Sequence, residues 1–393
     1  MRIFITGMVP TNTNNRGDDA VFMYLINQLR KKYKNCKIIA ALRHPDDDYD
    51  KFFKIKSISN LEYKDKKNSI GKFFYGFNFK DKRDRLYRIV DKIKKANLVI
   101  IGGSPFEGIS EENIFFGQGT YAKLIATICI ILKKKYIIYA IKQYEFSNLK
   151  LKKIAKFVIE NADKVLVRER YSLNIFKKNN IRTDHCKIIG DPVLNLNYSE
   201  KFLKNKSTKI TKKFQINKFQ KNDNLVIVCY RNIYWDKKNL EKKINKITKI
   251  LDYLVKKHNL KILFVPLQNY KISKNDYSMD DSFIMNKIRK KMIFKKSTIV
   301  FDHAINLYET LYLCSISKVI ISNRRHMPAF GSLFKKKLIG LIEKGNEENI
   351  IPFFKFLKQE KNLIYFEKIN YDRLIHIFSK FFDNKKNYKS KKI

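Results

Sequence analysis

At 393 residues the chain exceeds one typical core and favours two domains, while 44% hydrophobic and 13% aromatic residues exclude a disordered protein. Lys+Arg 83 against Asp+Glu 37 gives a net charge of +46, which attracts polyanions in general. The lysines run along the whole chain beside abundant isoleucine, asparagine, phenylalanine and tyrosine, as an AT-rich genome would produce, so the charge is read as genome bias and not as a dedicated nucleic-acid surface, with attraction to acidic glycans or lipids as a secondary consequence.

The first strand is expected at Arg2–Thr6, breaking at Gly7. A polar loop follows, then an amphipathic helix with Val21, Phe22, Leu25, Ile26 and Leu29 on one face. Asp18 or Asp19 is expected to cap it. A second strand is expected at Lys37–Leu42, and residues 44–80 read as an insertion or mobile loop. Further strands are expected at Leu98–Ile101, Tyr136–Ala140, Lys164–Val167 and Lys187–Ile189, with helices between them near 81–96, 121–132, 149–160 and 171–178. Strands alternating with helices predict a mostly parallel sheet covered on both faces.

Residues 201–222 are rich in lysine and read as a linker, with room for one short helix. A second series then follows, with strands at Leu225–Cys229, Lys261–Val265, Thr298–Phe301, Lys318–Ile321 and Lys337–Gly340. The expected organisation is an N-terminal domain over 1–200, the linker, a C-terminal domain over 223–345, and helices with a basic tail over 346–393. The fold class is α/β: two doubly wound Rossmann-like domains facing one another across a cleft.

Five scattered cysteines without a C-x-x-C read as buried thiols, and six histidines without metal-ligand spacing predict no metal site. The apolar run Ile3–Thr6 is too short for a signal peptide, and Leu124–Leu132 falls far below the ~20 residues that span a bilayer, so a cytoplasmic location is the default.

The residues that no core needs fall at predicted carboxyl ends of strands: Asn14 to Asp19; Gly102 and Gly103; Arg168 and Glu169; Asp191-Pro192; Arg231; Gln268; and Arg324 to His326. In an open α/β sheet that rim is where ligands, especially anions, bind. Each has a plainer reading. Gly102-Gly103 suits any tight turn, Asp18 and Asp19 suit a helix cap, Arg168 and Glu169 suit a surface ion pair, and His44 and His303 stand without partners. Arg168, Arg231, Arg324 and His326 together are harder to dismiss, since they predict an anion site with one side chain that titrates near neutrality.

Taken in order, these segments resemble the polysaccharide pyruvyltransferases. The resemblance lies in Asn15-Arg-Gly-Asp-Asp-Ala20, Gly102-Gly103, Arg168-Glu-Arg-Tyr-Ser172, Asp191-Pro192 and Ser322-Asn-Arg-Arg-His326, over about residues 1 to 345. Two departures stand in the N-terminal half: Ser104-Pro105 replaces a third glycine after Gly103, and Tyr139-Ala-Ile-Lys-Gln143 lacks the family's G-x-G-P. The resemblance implies a GT-B-like fold and transfer of pyruvate from phosphoenolpyruvate (PEP) to a sugar of a cell-surface glycan or its precursor, whether free, nucleotide-linked, lipid-linked or polymeric, with a ketal formed and phosphate released. It implies no cofactor beyond PEP as co-substrate. Arg324, Arg231, Ser322 and Arg325 would bind PEP, and His326 and Arg168 would be catalytic. Asn15, Gly17, Asp18, Asp19, Gly102, Gly103 and Asp191 would stand on the acceptor side. A basic surface of this kind also suits peripheral association with the inner face of a membrane.

Two alternatives remain at this point. A nucleotide-sugar glycosyltransferase of the same architecture would also hold phosphate in its second domain. A basic nucleic-acid-binding protein would show a steep salt dependence, although no helix-turn-helix, finger or RNP signature supports it.

Overall fold

Apolar, β-branched runs such as Ile3-Phe-Ile5 and Leu225–Cys229 are almost wholly buried, as parallel strands covered on both faces must be. The structure is a computed structural model and describes residues 1–7, 15–42, 45–60, 79–106, 118–216, 224–231, 237–269, 280–301, 305–366 and 371–382. It divides into two units: Met1–Asn12 with Asp18–Asn195, and Thr13–Gly17 with Leu196–Ile393.

In the first unit, β1 (Arg2–Thr6), β2 (Lys37–Leu42), β3 (Lys56–Ser59), β4 (Leu98–Gly102), β5 (Tyr136–Ile141), β6 (Lys164–Val167) and β7 (Cys186–Ile188) form one sheet in the order β3-β2-β1-β4-β5-β6-β7. All of its pairings are parallel. The second unit has β8 (Leu225–Cys229), β9 (Lys261–Phe264), β10 (Thr298–Val300), β11 (Val319–Ser322), β12 (Lys337–Ile342) and β13 (Leu363–Tyr365) in the order β10-β9-β8-β11-β12-β13, again all parallel. Strand order therefore reverses between β1 and β4 in one unit and between β8 and β11 in the other. Each reversal opens a crevice at the strands' carboxyl ends, because the crossovers on either side leave to opposite faces.

Several expectations need correction. The stretch 44–80 holds a helix, Asp47–Phe53, and the edge strand β3. Asp46 caps that helix by accepting from the Asp48 and Tyr49 amides, and Phe53 packs edge-on against Phe22 at 5.0 Å. A four-residue, half-buried edge strand carries no apolar run, which is why it was invisible. Residues 43–44 and 61–78 lie outside the described residues.

The lysine-rich 201–222 stretch holds two helices, Glu200–Lys206 and Thr208–Lys213. The first buries Leu203 and packs on the helix Leu307–Ile316. The stretch belongs to the second unit, so the chain passes between units at Asn195–Leu196. In the tail, β13 stands between the helices Glu347–Phe356 and Tyr371–Phe382 and extends the second sheet. The basic end from Lys385 onward lies outside the described residues. Cys129, Cys229 and Cys314 are buried as expected, whereas Cys36 and Cys186 are only half-buried. Among the described residues no helix is long and apolar enough to cross a membrane.

Candidate functional site

The second unit's reversal point is built from the ends of β8 and β11. β11 ends at Ser322, whose hydroxyl accepts from the Arg324 amide at 2.8 Å and donates to the Arg324 carbonyl at 3.0 Å. This closes a tight turn before the helix His326–Leu333 begins. Arg324 thus sits in the turn and His326 at the first helical position, with Pro328 in the first turn, where it removes no helical hydrogen bond. Residues two apart on a helix diverge, but here only one of the pair is on the helix.

Arg324 donates from Nη1 to Asp281 Oδ1 at 3.0 Å, and its Nη2 lies 3.5 Å from Gln268 Oε1. Asp281 is wholly buried, and its other oxygen accepts from the Leu267 and Gln268 amides, both at 3.0 Å. Asp281 stands in the first turn of the helix Asp281–Lys291, where Asp280 already serves as the cap, so its carboxylate is spare for the arginine. Burial raises the Asp281 carboxyl above its ordinary value, and Arg324 and Arg231 oppose that rise. At the end of β8, burial together with Arg324 pulls the Arg231 guanidinium down to about 10, still cationic at neutral pH. Two guanidinium groups therefore share one buried countercharge, a balance that favours an anionic ligand. Arg325 departs from this group: its guanidinium lies over the Phe353 ring, 5.6 Å from the centroid.

His326 has an unexpected neighbour. A Cβ placed on Gly17 would lie 2.0 Å from His326 Nδ1 and 2.6 Å from its Cε1 and Cγ. Only glycine lets the imidazole rest against that backbone. Asn15, Arg16 and Gly17 pack with the second unit, and the Arg16 amide donates to the Leu267 carbonyl at 2.9 Å. Asn15 and Gly17 were expected on the N-terminal, acceptor side; the helix Arg16–Lys32 starts in the second unit and carries on into the first. The cap was also misassigned. Asn15, immediately before the helix, accepts from the Gly17 amide at 3.1 Å, whereas Asp18 and Asp19 lie inside the first turn. Asp19 accepts from the Tyr49 hydroxyl at 3.1 Å.

The first unit carries the remaining candidates on its own rim. Gly7 and Gly103 both have φ near +77°, and a Cβ on Gly7 would meet the Gly102 carbonyl oxygen at 2.8 Å. These glycines let β1 and β4 end side by side. Ser104, in place of the third glycine, accepts from the Lys142 amide at 3.3 Å. Arg168 is tethered through Nε to the Ala140 carbonyl at 2.7 Å, which leaves the outer edge of its guanidinium for a ligand. Glu169 pairs with Lys142 at 3.7 Å and not with Arg168. Ser172 is buried and accepts from the Gln143 amide at 2.9 Å, so the motif's serine braces the segment after β5. Asp191 accepts from the Val193 amide at 3.1 Å as the start of a 3-10 turn. His44 and His303 lie outside the described residues.

The departure at Tyr139–Gln143 has a local consequence. Ala140 adopts φ +55°, beside a register shift between β5 and β6. Left-handed strain of about 1–2 kcal/mol stands against about 0.8 kcal/mol from burying its methyl and about 0.4–1 kcal/mol from the stiffer unfolded chain. These nearly cancel. Ala140→Gly is therefore expected to shift urea-melt stability by less than about 0.5 kcal/mol. A loss near 2 kcal/mol would contradict the left-handed geometry.

Sequence reasoning missed Asp281 and Asn323. Asp281 is 0% exposed and Asn323 2%. An aspartate left over beside a cap, and an asparagine directly after a strand, were the available signals.

A family model described as polysaccharide pyruvyl transferase matches residues 15–344. Among curated proteins none matches the chain in sequence. Solved structures similar in fold include UDP-GlcNAc 2-epimerase from Methanocaldococcus jannaschii, with TM-score 0.59 and 13% identity over 99% of this chain and 95% of that one. The Neisseria meningitidis UDP-GlcNAc 2-epimerase bound to UDP-GlcNAc has TM-score 0.56 and 12% identity, covering 98% and 92%. Anabaena Alr3699/HepE in complex with UDP and glucose has TM-score 0.53 and 10% identity, covering 88% and 82%. At these identities the likeness concerns the fold alone: two Rossmann-like domains of GT-B type.

Proposed function

Because the chain belongs to the polysaccharide pyruvyl transferase family, we propose that it takes its pyruvyl group from PEP and places it as a ketal on a sugar of a cell-surface glycan or glycan precursor. The observation that carries the choice of donor is the rim of the second unit, where Arg231 and Arg324 share the buried Asp281 and His326 follows two residues later. PEP presents a carboxylate and a phosphate, and paired guanidinium groups bind such planar or tripodal anions through charge-assisted forks.

In this reading His326, as the imidazolium, delivers its proton to the methylene carbon of PEP. The adjacent carbon becomes electrophilic, and one sugar hydroxyl adds there, its proton passing to the imidazole that has just given one up. A second hydroxyl then forms the other C–O bond as the phosphate C–O bond breaks, and its proton leaves with phosphate. The arginines hold the phosphate while charge collects on it. Arg168 supplies a further guanidinium on the first unit's rim, and Asp18 or Asp19 orients an acceptor hydroxyl. Ser322 acts through the turn it closes, and Arg325, stacked on Phe353, lies outside the donor set. The acceptor is free, nucleotide-linked or lipid-linked, and the +46 charge supports work beside acidic glycans or lipids at the cytoplasmic face of the membrane.

PEP at a hundred times its dissociation constant is expected to stabilise the protein by about 2.7 kcal/mol. A melting shift in the presence of PEP reads this, and Arg324→Ala is expected to abolish it. No shift with PEP, and no phosphate release from PEP with sugar acceptors, would sink the choice of donor.

A further inference from the structure

We propose that Asn323 is a positioning residue, fixing Arg231 at the second unit's reversal point so that its guanidinium meets the anionic donor; this rests on reading Arg231 as a donor-binding arginine. Asn323 directly follows β11 and is 2% exposed. Its side-chain Oδ1 accepts from the Arg231 amide at 2.9 Å, and its Nδ2 donates to the Arg231 carbonyl at 2.6 Å. One amide thus pairs with both main-chain groups of one residue. The β8–β11 ladder runs as far as Cys229 opposite Ser322. One step further on, the Asn323 side chain takes the place that a partner strand would fill. Without it, two backbone groups at the strand end lose their partner.

The clamp is itself held. Nδ2 of Asn323 also donates to Glu343 Oε1 at 3.0 Å, and the other Glu343 oxygen accepts from Lys243 at 3.0 Å. The Glu343 side chain is 1% exposed. Asn346 accepts from the Glu343 amide at 2.8 Å and donates to the Asn323 carbonyl at 3.2 Å. Lys243 lies on the helix Lys237–His258, the first described helix after Arg231. The chain leaving Arg231 is therefore fixed at its start by an amide and again, inside that helix, by an ion pair on the same carboxylate. None of these groups needs to touch the donor. Their effect is to start the Arg231 side chain from a fixed Cα, so that binding has fewer conformers to freeze out.

A double-mutant cycle on the full chain tests this, with PEP affinity read by titration calorimetry and melting temperature recorded separately. Asn323→Ala is expected to weaken PEP binding about tenfold in the parent and not at all in an Arg231→Ala background. A purely structural role would weaken binding equally in both, and that additive result would overturn the proposal. Where the alanine variant does not fold, Asn323→Ser keeps one hydrogen bond to Arg231 and is expected to give an intermediate loss; parent-like affinity there would also overturn it. If Arg231→Ala alone leaves PEP affinity unchanged, it is the donor-binding reading of Arg231 that falls, and the positioning role with it.

Discussion

His326→Ala is expected to lose on the order of 10²–10⁴-fold in turnover, the usual worth of a positioned general acid, while its melting temperature stays within a few degrees of the parent. The residue is only half-buried and starts a helix whose next residues, Met327, Ala329 and Phe330, make the core contacts. Truncating it leaves those contacts alone. At the ends of β8 and β11, Arg231 stays cationic at neutral pH, and the neighbouring Asp281 is committed to Arg324 and two amides. Among the described residues there, the imidazole is the side chain suited to giving up a proton and regaining it within a turnover. PEP-dependent phosphate release measures the effect. Activity within a fewfold of the parent, in a folded variant, would remove His326 from the mechanism.

Gly17→Ala is expected to cost about 10²-fold in turnover, through a displacement of roughly 1 Å at the reacting group. The new methyl carbon would sit 2.0 Å from His326 Nδ1, well inside van der Waals contact and against the body of the ring. The ring must swing away. What makes the result diagnostic is the sign of the stability change. Alanine is a better helix former than glycine by about 0.5–1 kcal/mol, so a substitution inside the helix Arg16–Lys32 would ordinarily help the fold. Lost activity with stability kept or raised marks the contact with His326. Unchanged turnover would mean that the imidazole does not work from this position.

The strands at the two reversal points, β1, β4, β8 and β11, were readable because each is a run of apolar residues almost wholly buried, and a glycine or charged group marked its end. β3 and β13 were not readable: Lys56-Ser-Ile-Ser59 carries no apolar run, and Leu363–Tyr365 lies in a tail whose periodicity read as helical. The site divides in the same way. Arg231, Arg324 and His326 stand out as polar residues abutting apolar strands. Asp281 and Asn323 act on them from 43 and 92 residues away in sequence, and nothing local in an aspartate or an asparagine names a partner so distant. The same limit explains Asn15 and Gly17. Their place was assigned by nearness in sequence to β1, whereas they group with the second unit.

That last feature bears on how the protein can be made. The second unit is discontinuous, taking Thr13–Gly17 from near the chain's beginning and the rest from Leu196 onward. A fragment starting at Leu196 would hold both rim arginines and every strand of its sheet, yet lack the glycine backbone on which the imidazole rests. During synthesis the early segment must wait until almost the whole family-matched span has emerged before His326 can meet it. Closing so distant a contact is slow compared with forming local ones. The histidine's seat is accordingly among the last parts of the molecule to be assembled.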